Sequence, residues 1–250
     1  MNPKRHAASF TLVEMLVGVA VFSLLILLLF SLISGATKLW RQQTAEEESY
    51  REARAALNTL SRDMNGALIT TNTAWFYSNG TNQLAFLTTL PNTAQNTNVA
   101  PGDICAVGYS LEYSTNDASG YQINMSLYRY VCFSGPTYTN FLLNPTYSIT
   151  NIFVNPDGVN TVRQLIARDI PQFSITSYTN NASGVLTSCS DSVTPVTVLT
   201  TNMFVNVGIT AVNDRVALQL TTQTKWTNTA SALIQQNEEV FNLRVRPQVP

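Results

Sequence analysis

The sequence predicts an α+β chain in which one long N-terminal helix, membrane-spanning over its first half, precedes a domain built on an antiparallel β-sheet. Three observations predict it. Between Met15 and Thr37 no side chain ionises, and Leu, Val, Ile and Phe dominate. From Glu46 to Asp63 there is no Gly or Pro, and Tyr50, Ala53, Leu57, Leu60 and Met64 recur at steps of three and four. Beyond Gly66 the apolar period shifts toward two, with Asn-, Gly- and Pro-containing turns between the runs.

Hydrophobic residues make up 45% of the 250 but charged ones only 12%, about half the ~25% usual in soluble domains. Thr, Asn, Ser and Gln supply the polar surface through residues 70–235, a balance that suits an extracytoplasmic β-rich domain better than a cytosolic enzyme. The formal net charge is −1, and loss of residues 1–9 with Lys4 and Arg5 leaves −3. Nucleic-acid binding needs clustered cations to displace counterions, and no basic patch follows Arg41, so that class is excluded as an expectation. His6 is the only histidine and lies in the first nine residues. A chain without it lacks the commonest general base and metal ligand, which argues against hydrolase triads, metal sites and cofactors.

Residues 1–9 form a short basic leader that stays cytoplasmic under the positive-inside rule. Residues 10–37 follow as the membrane helix: some twenty residues at ~1.5 Å each cross the ~30 Å hydrocarbon layer. Ser34-Gly35-Ala36 offers the small-x-small site of an ordinary secretory signal, but the apolar run before it is longer than the roughly 7–15 residues of such signals. Glu14 breaks the apolar pattern. A carboxylate near a helix centre costs about 2.5–3.5 kcal/mol on insertion scales, less toward the interface, so it calls for a partner. The plainer reading is a first-turn residue favoured by the helix macrodipole.

Residues 38–66 continue the helix outside the bilayer, with Lys38, Trp40 and Arg41 as an interfacial anchor and Asn65-Gly66 as the stop. A single helix over residues 10–65 is roughly 80 Å long. The triplet Glu46-Glu47-Glu48 with Arg51, Glu52 and Arg54 reads as a solvated face with i to i+3 and i+4 pairs, in preference to a docking site. Residues 67–250 form the β-rich domain. Strands are expected over residues 84–90, 104–113, 121–133, 173–178, 205–212, 216–222 and 240–245, the second and third as a hairpin, and residues 162–168 as a short helix or turn. Cys105, Cys132 and Cys189 leave an odd count. Either Cys105 and Cys132, in neighbouring strand-like runs, form a disulfide, or all three are small buried apolar residues.

The run Phe10-Thr11-Leu12-Val13-Glu14, with its basic leader and apolar helix, resembles the processing site of type IV pilins and type II secretion pseudopilins. The resemblance covers about the first 55 residues. It implies a prepilin peptidase that cuts between Ser9 and Phe10, N-methylation of Phe10, and a Glu14 that pairs with the N-terminal amine of a neighbouring subunit. Ser9 stands where the family usually has Gly. The long helix followed by an antiparallel sheet is similar to the pilin fold. Within the family the plan is most similar to J-type minor pseudopilins or to prepilin-like cassette proteins of the verrucomicrobial group. The resemblance further implies a single-pass inner-membrane subunit with a periplasmic domain, partnered by sister pilins, prepilin peptidase and membrane lipid.

Other patterns are weaker. Asn155-Pro156-Asp157-Gly158-Val159-Asn160 superficially resembles a calcium loop but lacks the spaced carboxylates and closing Glu, so a tight turn is expected. Asp103, Glu112, Asp117, Asp169, Asp191 and Asp214 show no motif that singles out a catalytic pair. Tyr109, Tyr113, Tyr121, Tyr128 and Tyr130 read as strand packing rather than as a sugar-stacking strip. The expectation is a structural subunit. A carbohydrate-binding or adhesive domain that borrows the export signal is the alternative, and an anchored hydrolase a distant third.

Overall fold

A computed structural model describes residues 12–68, 76–79, 81–91, 102–114, 125–144, 148–157, 159–180, 186–189 and 203–246. The chain divides into two compact units, Met1–Thr44 and Ala45–Pro250. Helix α1 (Leu12–Asn65) contributes to both.

In the first unit α1 is apolar on every side. Nearly every residue from Leu12 to Trp40 is exposed, and the run is long and apolar enough to cross a membrane. A helix with no polar face has no soluble way to hide its side chains.

In the second unit two antiparallel sheets form. The first is a meander of β1 (Phe76–Ser78), β2 (Gln83–Thr89), β3 (Ile104–Tyr113), β4 (Met125–Cys132) and β5 (Thr161–Ala167), in that order. The second has the order β7 (Leu186–Cys189), β6 (Gln172–Asn180), β8 (Met203–Val212), β9 (Glu238–Val245). One core joins the predicted stripe of α1, Ala53, Leu57, Leu60 and Met64, to one face of each sheet, through Leu84, Phe86, Val107 and Leu127 on the first and Phe173, Val205, Val207 and Ile209 on the second. The alternation that sequence period predicts is what makes this work: odd residues of β3 and β8 face the helix and even ones face away.

The far face of the first sheet is covered too. The described residues between 134 and 160 fold over it through α2 (Ser134–Thr137), a π turn (Tyr138–Leu142) and α3 (Asn151–Val154), burying Ala85, Leu87, Ala106, Tyr128 and Tyr130 beneath Phe141, Ile149 and Ile152. Thr137 pins this cover: its hydroxyl donates to the Cys132 carbonyl at 2.7 Å and accepts from the Ala106 N–H at 3.0 Å. Three short helices, α4 (Asp214–Ala217), α5 (Gln223–Thr227) and α6 (Ala232–Gln235), are each capped by a side chain, Asn213, Thr222 and Ser231, that accepts the N–H of the third helical residue. They deliver Val216, Trp226 and Ile234 to the core.

Three expectations are corrected. Residues 162–168 do not form a helix; all but Arg168 lie within strand β5, paired with β4 and flanked by Asn160 and Asp169, both in the left-handed region. The apolar spacing of Val162, Leu165 and Ile166 mimics a helix, but this edge strand leaves Val162 and Leu165 partly exposed. Residues 216–222 are not a strand: Asn213 caps a helix there, and Val216, Ala217 and Leu220 are buried at helical spacing. The Cys105–Cys132 disulfide does not form. The two strands are neighbours, but Cys132 lies opposite Ala106, so Cys105 faces the helix and Cys132 the outer cover. Both are buried free thiols, pushed up by that burial to about 12 for Cys105 and about 11 for Cys132. The side chain of Cys189 lies outside the described residues.

Candidate functional site

The candidate site is the N-terminal helix together with the contacts by which its second half is anchored in the domain. Glu14 lies in the first turn of α1, where unpaired backbone N–H groups favour an anion. Ser9 and Phe10 lie outside the described residues. Two hydroxyls of the apolar stretch bond to the helix itself: Ser23 donates to the Val19 carbonyl at 2.8 Å, and Thr37 to the Ile33 carbonyl. Such back-bonding suits a segment in hydrocarbon, where no water is present to take those bonds. Gly18 and Gly35 have nothing around them within 4 Å.

In the second unit α1 ends against β2. Thr88 donates to the Asp63 carbonyl at 2.6 Å, the Thr89 N–H donates to the Gly66 carbonyl at 2.9 Å, and Ala67 bridges to Thr88. Gly66 permits this approach, because a Cβ there would lie 2.8 Å from the Thr88 hydroxyl oxygen and 2.9 Å from that of Thr89. Beneath this junction is a buried ionic cluster. Asp63 Oδ2 accepts from Arg129 Nε at 2.7 Å and from the Tyr109 hydroxyl at 2.6 Å, with the Asp63 side chain 2% and that of Arg129 13% exposed. Burial, and then the Asp63 charge, hold the Tyr109 hydroxyl well above its usual range. Burial works against the Arg129 cation, but the bond and charge of Asp63 outweigh it and raise its pKa. The cluster thus ties the last helical turn to the middle of the first sheet.

Residues 4–30 match the family model for the prokaryotic N-terminal methylation motif. The chain therefore carries the type IV pilin and pseudopilin signal. The matched residues include Phe10, Glu14 and the start of the exposed apolar helix. The long helix followed by antiparallel sheets is an α+β arrangement of the pilin-like kind. One apolar N-terminal helix with that signal fits a membrane-anchored, single-pass protein. No curated protein matches the chain.

The remaining candidates fall into structural roles. Tyr109 is in the core, Tyr128 and Tyr130 are buried under the outer cover, and Tyr113 donates to the Thr221 carbonyl at 3.4 Å, so these rings share no exposed strip; Tyr121 lies outside the described residues. Glu112 binds the Tyr130 hydroxyl and Arg163, the latter at 2.6 Å, and Arg163 lies 3.7 Å over the Tyr128 ring. Asp103, Asp169 and Asp214 lie in separate segments, and Asp117 and Asp191 lie outside the described residues. In the 155–160 segment, of which Gly158 lies outside the described residues, the Thr161 N–H donates to the Pro156 carbonyl at 2.8 Å, as a turn requires.

The Asp63–Arg129 pair escaped the sequence reading, although both charges sit at core positions of their period. Asp63 is three residues from Leu60 and seven from Ala56, on the apolar stripe. Arg129 has the parity of Leu127 and Val131. Two opposite charges, each on an otherwise apolar face, are each other's natural partners.

Proposed function

We propose that the protein is a structural minor subunit, a pseudopilin, of a type II secretion or type IV pilus-like filament. Prepilin peptidase cuts it between Ser9 and Phe10, Phe10 is methylated, and the mature helix holds the chain in the inner membrane with its domain in the periplasm. The observation that carries this reading is the methylation motif set on an exposed apolar helix, with Glu14 at the fifth position after the cut. Sister pilins, prepilin peptidase and membrane lipid are the partners, and the chain acts by assembly rather than by catalysis.

Glu14 is the residue on which assembly turns. Inside a bilayer a carboxylate and an ammonium attract each other far more strongly than in water, and each is costly alone. Pairing of Glu14 with the N-terminal amine of an adjacent subunit removes both costs at once and recruits the subunit. The apolar surface from Met15 to Ile33 then packs against sister helices. Replacement by Glu14→Gln or Glu14→Ala is expected to leave membrane insertion intact and to abolish co-purification with sister subunits after in-cell cross-linking. Normal assembly of both variants would remove the pairing role.

A further inference from the structure

We infer that the outer face of the second sheet is a binding surface for an acidic polysaccharide of the uronate type. Residues of even number on β8 face away from the core, whereas Val205, Val207 and Ile209 face it. The register then assembles three cross-strand rows on the outer face. Thr176, Asn206 and Arg244 form one; Ser174, Gly208 and Asn242 the next; Tyr178 and Phe204 a third, with Arg246 beyond. Neighbouring strands lie ~4.8 Å apart and alternate residues ~6.8 Å apart, so the rows span a flat patch of sugar-ring dimensions.

The chemistry of the patch is specific. Arg244 and Arg246 are exposed, and their guanidinium carbons lie 4.8 Å and 5.7 Å from the centre of the Phe204 ring. Stacking on the ring fixes the planar fork of Arg244, ready for bidentate bonds to a carboxylate. The ion pairs among the described residues engage Arg54, Arg129 and Arg163, not Arg244. Beside it, Asn206 Oδ1 is buried and has no hydrogen-bond partner. A sugar hydroxyl is a donor that answers this acceptor once the amide turns outward. In the next row Ser174 and Asn242 close over Gly208, where a Cβ would stand 2.5 Å from Ser174 Oγ and 3.1 Å from Asn242 Oδ1. Hydroxyls and amides thus line the strip between the arginines and the half-buried Tyr178. These three rows contain no aliphatic side chain of the kind that anchors a protein partner or a bilayer, and the next row adds a single one, Val240. Carboxylate recognition by arginine, hydroxyl recognition by Asn, Ser and Thr, and aromatic rings alongside favour a uronate chain over an acidic peptide.

The inference stands apart from filament assembly and is tested on the full chain in detergent micelles. Isothermal titration is run with an oligogalacturonate, an uncharged galactan of equal length and poly-glutamate. The expected result is binding of the oligogalacturonate alone, weakened by salt, lowered roughly tenfold or more by Arg244→Gln and also lowered by Asn206→Ala. The exposed Arg215, on helix α4 and in none of these rows, serves as control, and Arg215→Gln is expected to bind like the parent chain. Thermal unfolding confirms that each variant is folded. Absence of oligogalacturonate binding, equal binding by a folded Arg244→Gln variant, or equally tight binding of poly-glutamate would each overturn the assignment.

Discussion

The two parts of helix α1 obey different rules. From Leu12 to Trp40 its side chains are exposed and apolar all round, whereas from Ser49 to Met64 one stripe is buried and the remainder faces solvent. The first part contains a single acidic residue, Glu14, in its first turn; the second buries Asp63 against Arg129 and Tyr109. One continuous element therefore meets two solvents. Where the surrounding medium is lipid, every face is apolar and backbone carbonyls take the hydroxyls of Ser23 and Thr37. Where it is a protein core, a stripe suffices and a charge is tolerated only with a matched partner.

The largest expected effect breaks that match. Asp63→Ala leaves the Arg129 cation buried without a counter-charge and is expected to destabilise the domain by about 3–5 kcal/mol, read as a lowered chemical-denaturation midpoint. Asp63→Ala combined with Arg129→Met should recover much of the loss, because the orphaned charge is gone. If the single variant unfolds at the parental midpoint, the anchorage described for the helix end is wrong. Next in size is Leu60→Ala, at the centre of the buried stripe, expected to cost about 2–5 kcal/mol by the same assay.

Alkaline pH sharpens the comparison without mutation. Cys105, Cys132, Tyr109 and Tyr130 all have pKa values raised by burial in the fold. The unfolded chain releases these protons at about 8.5 for thiols and 10 for phenols, so between those values and the raised ones the folded state binds more protons. Stability is then fully present below about pH 8.5 and falls as pH rises through the thiol value of about 11 for Cys132. Denaturation midpoints should hold from pH 7 to about 8.5 and decline from there to pH 10.5; a flat profile over the whole range would mean that these groups are solvated. At the small end, Arg54→Ala removes an exposed pair with Glu239 and is expected to shift stability by no more than about 1 kcal/mol. Leu28→Ala, on the apolar half, should leave the domain's midpoint unchanged within about 0.5 kcal/mol.

Much of this was legible in the sequence, wherever a period repeats long enough to be read. The stripe from Ala53 to Met64, the stop at Asn65 and the hairpin of β3 and β4 all emerge from spacing and turn residues. The misreadings came from short segments in which two periods fit equally well. Residues 162–168 carry apolar residues at helical spacing yet complete a sheet edge, because β4 offers an unpaired strand beside them. Residues 216–222 alternate like a strand, yet the Asn213 cap outweighs seven residues of weak pattern. The cysteines show a different limit: sequence tells which strands neighbour one another, but register decides which face each side chain takes. The buried Asp63–Arg129 pair carries no motif, and only its place on two apolar faces marks it as core.

The most direct test of processing is the intact mass and N-terminal sequence of the protein purified from its native membrane. A chain that begins with N-methylated Phe10 is the predicted result, and it would place Ser9 before the cut and Glu14 fifth after it. A chain that begins at Thr37 would contradict it, since the apolar helix would then be a discarded secretory signal and no part of the mature protein.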